Sequence, residues 1–322
     1  MGQKTLAVVL GSTSGQGHSV VNALLKTSRY RVRGVTKDSH SEEAQALARK
    51  GVEVFEGDLD NPHSLTAAFT AAGVIFAVTK MVGGAMEREV TQGKNIANAA
   101  AAVGTLKHFI WSTLPSASTV SGGTITVPHM DGKAQVDEYI INSKPALAQK
   151  TTFLWGGFYA ENVQYPNFTY NFLASAGKYI WVQPVQKRTL VPMVGNHDAN
   201  IGTVVERVLA KPEVCLPMAY VLAVTEWMEN GELLSLWAKI VGEKHGQKMD
   251  TVYVQSGLET VDQLWPGLGK EMGLMLKVLE KLGKQAWTKK SVTIVTMQDL
   301  GLKVGEKEGD LVSTEKAIRR LV

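Results

Sequence analysis

The stretch that most constrains the fold stands at the start of the chain. An apolar run, Leu6-Ala-Val-Val-Leu10, leads into Gly11-Ser-Thr-Ser-Gly15-Gln-Gly17, and His18 to Leu25 follows with apolar residues at helical spacing. A short run rich in β-branched residues reads as a buried strand. Strand, glycine turn and helix in that order can cradle a dinucleotide pyrophosphate, because backbone N–H groups at a helix start face the anion and the helix dipole favours it. Glycines let the backbone approach where a Cβ would hold the phosphate off. The competing reading is an ordinary tight turn. Gly11, Thr13, Ser14, Gly15, Gln16 and Gly17 are the candidate cofactor contacts here.

The rest of the first half keeps one rhythm. Strands are expected at Tyr30–Thr36, Val52–Phe55, Val74–Val78, Leu106–Trp111 and Thr151–Trp155, with helices at Ser41–Lys50, Pro62–Ala72, Met86–Val103 and Pro128–Ile141. Asn61 is placed to cap the third helix, with Pro62 at its first position. Strands alternating with helices argue for an α/β fold, a Rossmann-type doubly wound parallel sheet. Residues 1–155 form the expected dinucleotide-binding domain. Residues 156–322 form a smaller C-terminal α/β substrate lobe, with some late strands free to rejoin the main sheet. That half is less regular: Ile180–Gln183 and Thr189–Val191 read as short strands, Ala199–Leu209 and Trp227–Val241 as helices, and Thr251–Val254 as a strand.

The glycine spacing resembles that of the short-chain dehydrogenase/reductase superfamily, and the longer stretch resembles its atypical NmrA-like branch. That branch usually carries Gly-x-x-Gly-x-x-Gly; here Ser14 takes the middle glycine's place and Gly15 follows it. The resemblance covers most of residues 5–165 and implies an NADP(H)-binding Rossmann core.

The second strand ends where such a site reads the adenosine ribose. An acid there would bind the 2′-hydroxyl of NAD; this chain offers Thr36 and Lys37, with Arg33 close in sequence, and a hydroxyl and a cation suit the 2′-phosphate of NADP. NmrA-like proteins generally carry a basic residue here. The alternatives are a solvated lysine, or a shifted strand end that brings Asp38 into play and favours NAD. Asp58-Leu59 resembles the family's segment against adenine; Asp58 as a turn cap is the alternative.

Chemistry is expected beyond the carboxyl ends of the strands. His129 and Lys133 are four apart at a helix start, so both project from one face. In short-chain dehydrogenases that spacing belongs to Tyr-x-x-x-Lys. Histidine in the tyrosine's place, as in a number of NmrA-like relatives, still gives or takes a proton near an ordinary pKa of about 6.5. His129 is thus the catalytic candidate, with Lys133 a catalytic and cofactor-anchoring one; the alternative gives His129 only a loop or cofactor hydrogen bond. Phe158 and Tyr159, in Gly156-Gly-Phe-Tyr-Ala-Glu-Asn162, resemble the family's aromatic pair near the nicotinamide, with ordinary packing as the alternative.

Composition narrows the field. The net charge is +4 with dispersed Lys and Arg, which argues against nucleic acid. A single cysteine, Cys215, excludes an internal disulfide and fits a reducing compartment. No Cys/His cluster has metal-ligand spacing, and no serine sits in a nucleophile elbow. With no leader and no spanning stretch in the sequence, a cytoplasmic protein with a small-molecule substrate is expected; oligomeric state is not readable. The reading is an NADPH-dependent reductase of a carbonyl or imine in a largely apolar molecule, with a redox-sensing regulator and a non-redox cyclase-type enzyme that keeps NADP(H) as scaffold as the alternatives.

Overall fold

The computed structural model describes residues 4–13, 15–80 and 85–322. Six strands form the body of the main sheet: Thr5–Leu10 (β1), Tyr30–Thr36 (β2), Glu53–Glu56 (β3), Val74–Ala77 (β4), His108–Thr113 (β5) and Thr151–Trp155 (β6). Two late strands, Tyr220–Leu222 and Ile294–Val295, extend it beyond β6, so the order is Ile294–Val295, Tyr220–Leu222, β6, β5, β4, β1, β2, β3. Every pairing in it is parallel. The winding direction reverses between β1 and β4, and the crevice at their carboxyl ends is where ligands of such sheets bind.

The helices between these strands are Gly15–Leu25 (α1), Glu42–Arg49 (α2), Pro62–Phe69 (α3), Met86–Ala101 (α4), Ala117–Val120 (α5), Pro128–Ser143 (α6) and the short Pro145–Ala148 (α7). Asn61 caps α3 by accepting from the N–H groups of His63 and Ser64 at 3.0 and 3.3 Å, with Pro62 at the first position. The helix ends at Phe69, short of Ala72, because Ala71 turns into the left-handed region at φ +62°. Alternate residues of β1 enter two cores. Leu6, Val8 and Leu10 pack with Leu65 and Phe69; Ala7 and Val9 pack with Val20, Val21 and Leu24 of α1 and with Ile201, Val204 and Val205.

The second half is interleaved with the first. Besides the two strands in the main sheet, its helix His197–Ala210 packs along α1, and Gly202 lies against the Ser19 carbonyl. Two small sheets complete it: Glu226–Glu229, Leu190–Gly195 and Phe158–Tyr159 in one, Thr251–Gln255, Lys178–Gln183 and Asn171–Leu173 in the other. The helix expected from Trp227 begins instead at Asn230. Glu226–Glu229 is a strand paired antiparallel with Leu190–Met193, and a capping box between Glu229 and Glu232 sets the helix start. Among the described residues no helix is long and apolar enough to cross a membrane.

Gly17 has a packing role in the turn. A Cβ there would lie 2.2 Å from the Gly11 carbonyl oxygen and 2.6 Å from that of Leu10. It would collide with the turn itself, so Gly17 is the glycine that lets α1 close on β1. Gly17→Ala is therefore expected to lower unfolding stability by about 3 kcal/mol, read by chemical denaturation. A normally stable variant that had lost only cofactor binding would contradict this packing role.

Candidate active site

Gly11 at φ +64° and Gly15 at φ +52° make the turn, both in the left-handed region that glycine tolerates. Ser12 pins it: its hydroxyl and its N–H both donate to the Val35 carbonyl of β2, at 3.1 and 3.4 Å. At Gly15 a Cβ would find open space, with the nearest atom a His197 ring carbon 4.0 Å away. Among the described residues, no side chain thus comes closer than this to the Gly15 face at the start of α1. Thr13 lies half-buried in the turn. Ser14 lies outside the described residues. Gln16 turns inward: its amide N–H donates to the Tyr159 hydroxyl at 2.7 Å, and its amide oxygen accepts from the Ser112 hydroxyl at 2.7 Å.

Thr36 ends β2 and Lys37 follows it, at the carboxyl end of the strand. The Lys37 ammonium lies 3.2 Å from an Asp58 carboxylate oxygen and 3.9 Å from Asp60, and Arg88 binds Asp60 at 2.6 Å. Asp58 also accepts from the Asp60 N–H at 3.0 Å; that bond, with Lys37 beside it, holds the Asp58 carboxyl below its usual range. Asp58 is thus a turn cap and a partner of Lys37 at once. Leu59 packs on the core, and its carbonyl accepts from Asn95 at 3.1 Å. Arg33 is not at the site. Its guanidinium donates to Glu53 and to the carbonyls of Ala68 and Thr70, because mid-strand it points across β3 to α3 rather than to the strand end.

A cavity of about 230 Å³ lies at the mouth of the crevice, with Gln16, Ser112, His129, Lys133 and Tyr159 in its wall. Apart from Thr113 and Asn162, the remaining wall is apolar, and includes Phe158, Phe168, Met272, Met275 and Trp287. Phe158 meets Phe168 edge-on at 4.8 Å, and the Trp287 N–H is tied to the Gly156 carbonyl at 3.0 Å. The start of α6 is fixed by the buried Asp131, which accepts from Ser116, from the hydroxyl and N–H of Ser118, and from the Val127 N–H.

His129 is gripped from the second half of the chain. Glu271, in helix Leu268–Leu282, accepts through one oxygen from both the His129 N–H (3.1 Å) and Nδ1 (2.8 Å), and both side chains are only 15% exposed. A carboxylate oxygen only accepts, so Nδ1 carries the proton. Nε2 is left without a partner among the described residues, on a ring that lines the cavity. Lys133 donates to the Thr79 carbonyl (2.8 Å), the Thr79 hydroxyl (3.0 Å) and Glu89 (2.7 Å), so its three protons have three acceptors. Burial pushes the Tyr159 hydroxyl up to about 12, so it remains a neutral donor at ordinary pH. Among the described residues no group of His, Cys, Asp and Glu is arranged to hold a metal.

Reading the sequence brought His129, Lys133, Gln16 and Phe158 to this cavity and missed Glu271, Thr79 and Glu89. Ser112 also enters the cavity wall, and its place near the carboxyl end of the fifth strand is the available sequence signal. Nothing in the sequence singles out Glu271 from the other acids of the second half.

The sequence pattern of the NmrA-like family matches residues 3–293. The chain is 34% identical over 140 residues to the NmrA-like family domain-containing oxidoreductase notA of Aspergillus sp., a match spanning 42% of this chain and 41% of that protein. The chain thus covers about two fifths of that relative's length. Among solved structures, it superposes on the negative transcriptional regulator Nmra in complex with NADP with a TM-score of 0.74 and 19% identity, over 99% of this chain and 96% of that one. The triphenylmethane reductase of Citrobacter sp., complexed with NADP(H), gives a TM-score of 0.69 and 18% identity over 99% and 100%.

Proposed function

We propose that this chain, which belongs to the NmrA-like family, binds NADP(H) along the crevice and reduces a carbonyl or imine in a small, largely apolar molecule. The observation that carries the reading is the Glu271–His129 pair, whose histidine lines a largely apolar cavity beside the glycine turn. The printed descriptions of relatives as oxidoreductases, and of neighbours as NADP complexes, support it.

The residues fit the cofactor. The open side of Gly15 leaves room for a pyrophosphate against the start of α1. Thr36 and Lys37 meet the 2′-phosphate. Lys37 then exchanges an exposed pairing with Asp58, of a kind worth little in water, for a doubly charged partner; this favours NADP(H) over NAD(H).

When bound, reduced nicotinamide would supply a hydride to the substrate carbon, and the rest falls to the chain. The apolar wall of Phe158, Phe168 and the two methionines excludes water and holds a flat ring. As the C=O or C=N electron pair moves onto oxygen or nitrogen, the Tyr159 hydroxyl donates a hydrogen bond to it. Protonated His129 delivers its Nε2 proton to that atom, which leaves the neutral ring held by Glu271 through Nδ1. Solvent returns the proton afterwards.

One observation favours the regulator reading: at about 230 Å³ the cavity lies below the usual range for ligand pockets. Single-turnover reactions with NADPH deuterated at the transferring position, run on panels of small carbonyls and cyclic imines, decide between them. The reductase is expected to consume NADPH and place deuterium on the product carbon. Conversion without deuterium would point to the non-redox enzyme, and no consumption with any substrate to the regulator.

A further inference from the structure

Glu89 sits in the first turn of α4 and is 2% exposed. One of its oxygens accepts from the Thr79 hydroxyl at 2.8 Å and from the Lys133 ammonium at 2.7 Å. Lys133 donates in turn to the carbonyl and hydroxyl of Thr79, so the end of β4, α4 and α6 meet in a closed triangle of hydrogen bonds. The second Glu89 oxygen is buried with no partner among the described residues. As a device for stability this is poor. Removing an ammonium and a carboxylate from water is repaid only when the remaining lone pairs are satisfied, and an apolar pair would join the same elements equally well. What the charged pair provides is an ammonium fixed in place at the cavity wall.

We propose that Glu89 is a positioning residue for the nicotinamide half of the cofactor: together with Thr79 it aims the Lys133 ammonium at the ribose beside the nicotinamide. The proposal rests on the reading of the crevice as an NADP(H) site. Of the three Lys133 bonds, the one to the Thr79 hydroxyl is the longest, at 3.0 Å, and that hydroxyl is already engaged as a donor to Glu89. A ribose hydroxyl takes this third bond, while Glu89 and the Thr79 carbonyl keep their hold. Glu89 itself touches no cofactor atom; its whole effect passes through Lys133.

Two ligands separate this role from a structural latch. NADPH carries the nicotinamide riboside; adenosine 2′,5′-bisphosphate carries the adenine and the 2′-phosphate but lacks it. Calorimetric titration of the full chain with each is expected to show Glu89→Gln binding NADPH ~10-fold more weakly and the bisphosphate within ~2-fold of wild type. Lys133→Met should do the same, and the double variant should be no weaker than Lys133→Met alone. Glu89→Asp, which keeps the charge but shortens its reach to Lys133, gives a milder version should Glu89→Gln fold poorly. Equal losses for both ligands, no loss for either, or additive losses in the double variant would overturn the proposal. These titrations measure binding alone, so a wild type that binds NADPH but transfers no hydride would remove the reductase reading and leave this test intact.

Discussion

Asp137→Asn is expected to make the protein more stable above neutral pH and to remove a pH dependence that the wild type carries between about 4 and 7. Asp137 lies in α6 beneath the sheet-facing side, 2% exposed; one oxygen accepts from the Trp111 N–H at 2.9 Å and the other meets the Tyr220 hydroxyl at 3.4 Å. Burial raises its carboxyl from 3.8 to about 7, against the opposing pull of Thr113, Lys289 and Trp111. A folded-state pKa above the unfolded one means that the native protein holds this proton more tightly. The stabilisation is complete below pH 3.8 and disappears as pH rises through about 7. Three units correspond to about 4 kcal/mol at most. Asparagine is nearly isosteric and uncharged, so it can keep its oxygen toward Trp111 and its amide toward Tyr220 at every pH. The measurement is denaturant unfolding from pH 4 to 9, with wild-type stability subtracted from that of the variant. The difference should climb toward alkaline pH and flatten above about 8; a flat difference throughout would contradict a buried, proton-binding Asp137. Subtraction matters because His108 slopes the other way. Its burial lowers the imidazole to about 4, so its stabilisation is present above 6.5 and lost as pH falls toward 4, equally in both proteins.

The main sheet was legible because its strands are apolar runs punctuated by glycine turns and helices with local caps. Such information is local: Ser41 and Asn61 cap helices through N–H groups two or three residues on. The short late strands Tyr220–Leu222 and Ile294–Val295 were not visible, since two or three residues carry no period and are ordered only by pairing with β6 and with one another. Trp227 was read into a helix because its neighbours are apolar at a helical spacing, while Leu190–Met193 decides the matter from elsewhere in the chain. The site divides the same way. His129 and Lys133 were found by their spacing, but their partners come from far away: Glu271 is 142 residues from His129, and Glu89 is 44 from Lys133. Gln16 reaches Tyr159 across 143 residues. Lys37 was placed at the right end of β2, yet the acids that hold it arrive from the end of β3. One sequence shows which side chains exist and on which face, and leaves open which of them meet.

The second large effect concerns His129. In His129→Asn the side-chain amide stands where Nδ1–H stood, so the bond to Glu271 survives and the start of α6 stays in place. Only the Nε2 edge of a ring that lines the cavity is removed. If that edge carries the proton, turnover loses the ~10² to 10⁴ that a positioned acid contributes, while the cofactor, bound by the turn, Lys37 and Lys133, is held as before. Loss of kcat with unchanged binding marks a group whose interaction develops in the transition state. The direct measurement is kcat, from pre-steady-state NADPH consumption, beside the NADPH dissociation constant on the same His129→Asn preparation. The account predicts kcat at least ~100-fold below wild type with the dissociation constant within ~3-fold; a kcat within a few-fold of wild type, or a parallel collapse of NADPH binding, would contradict it.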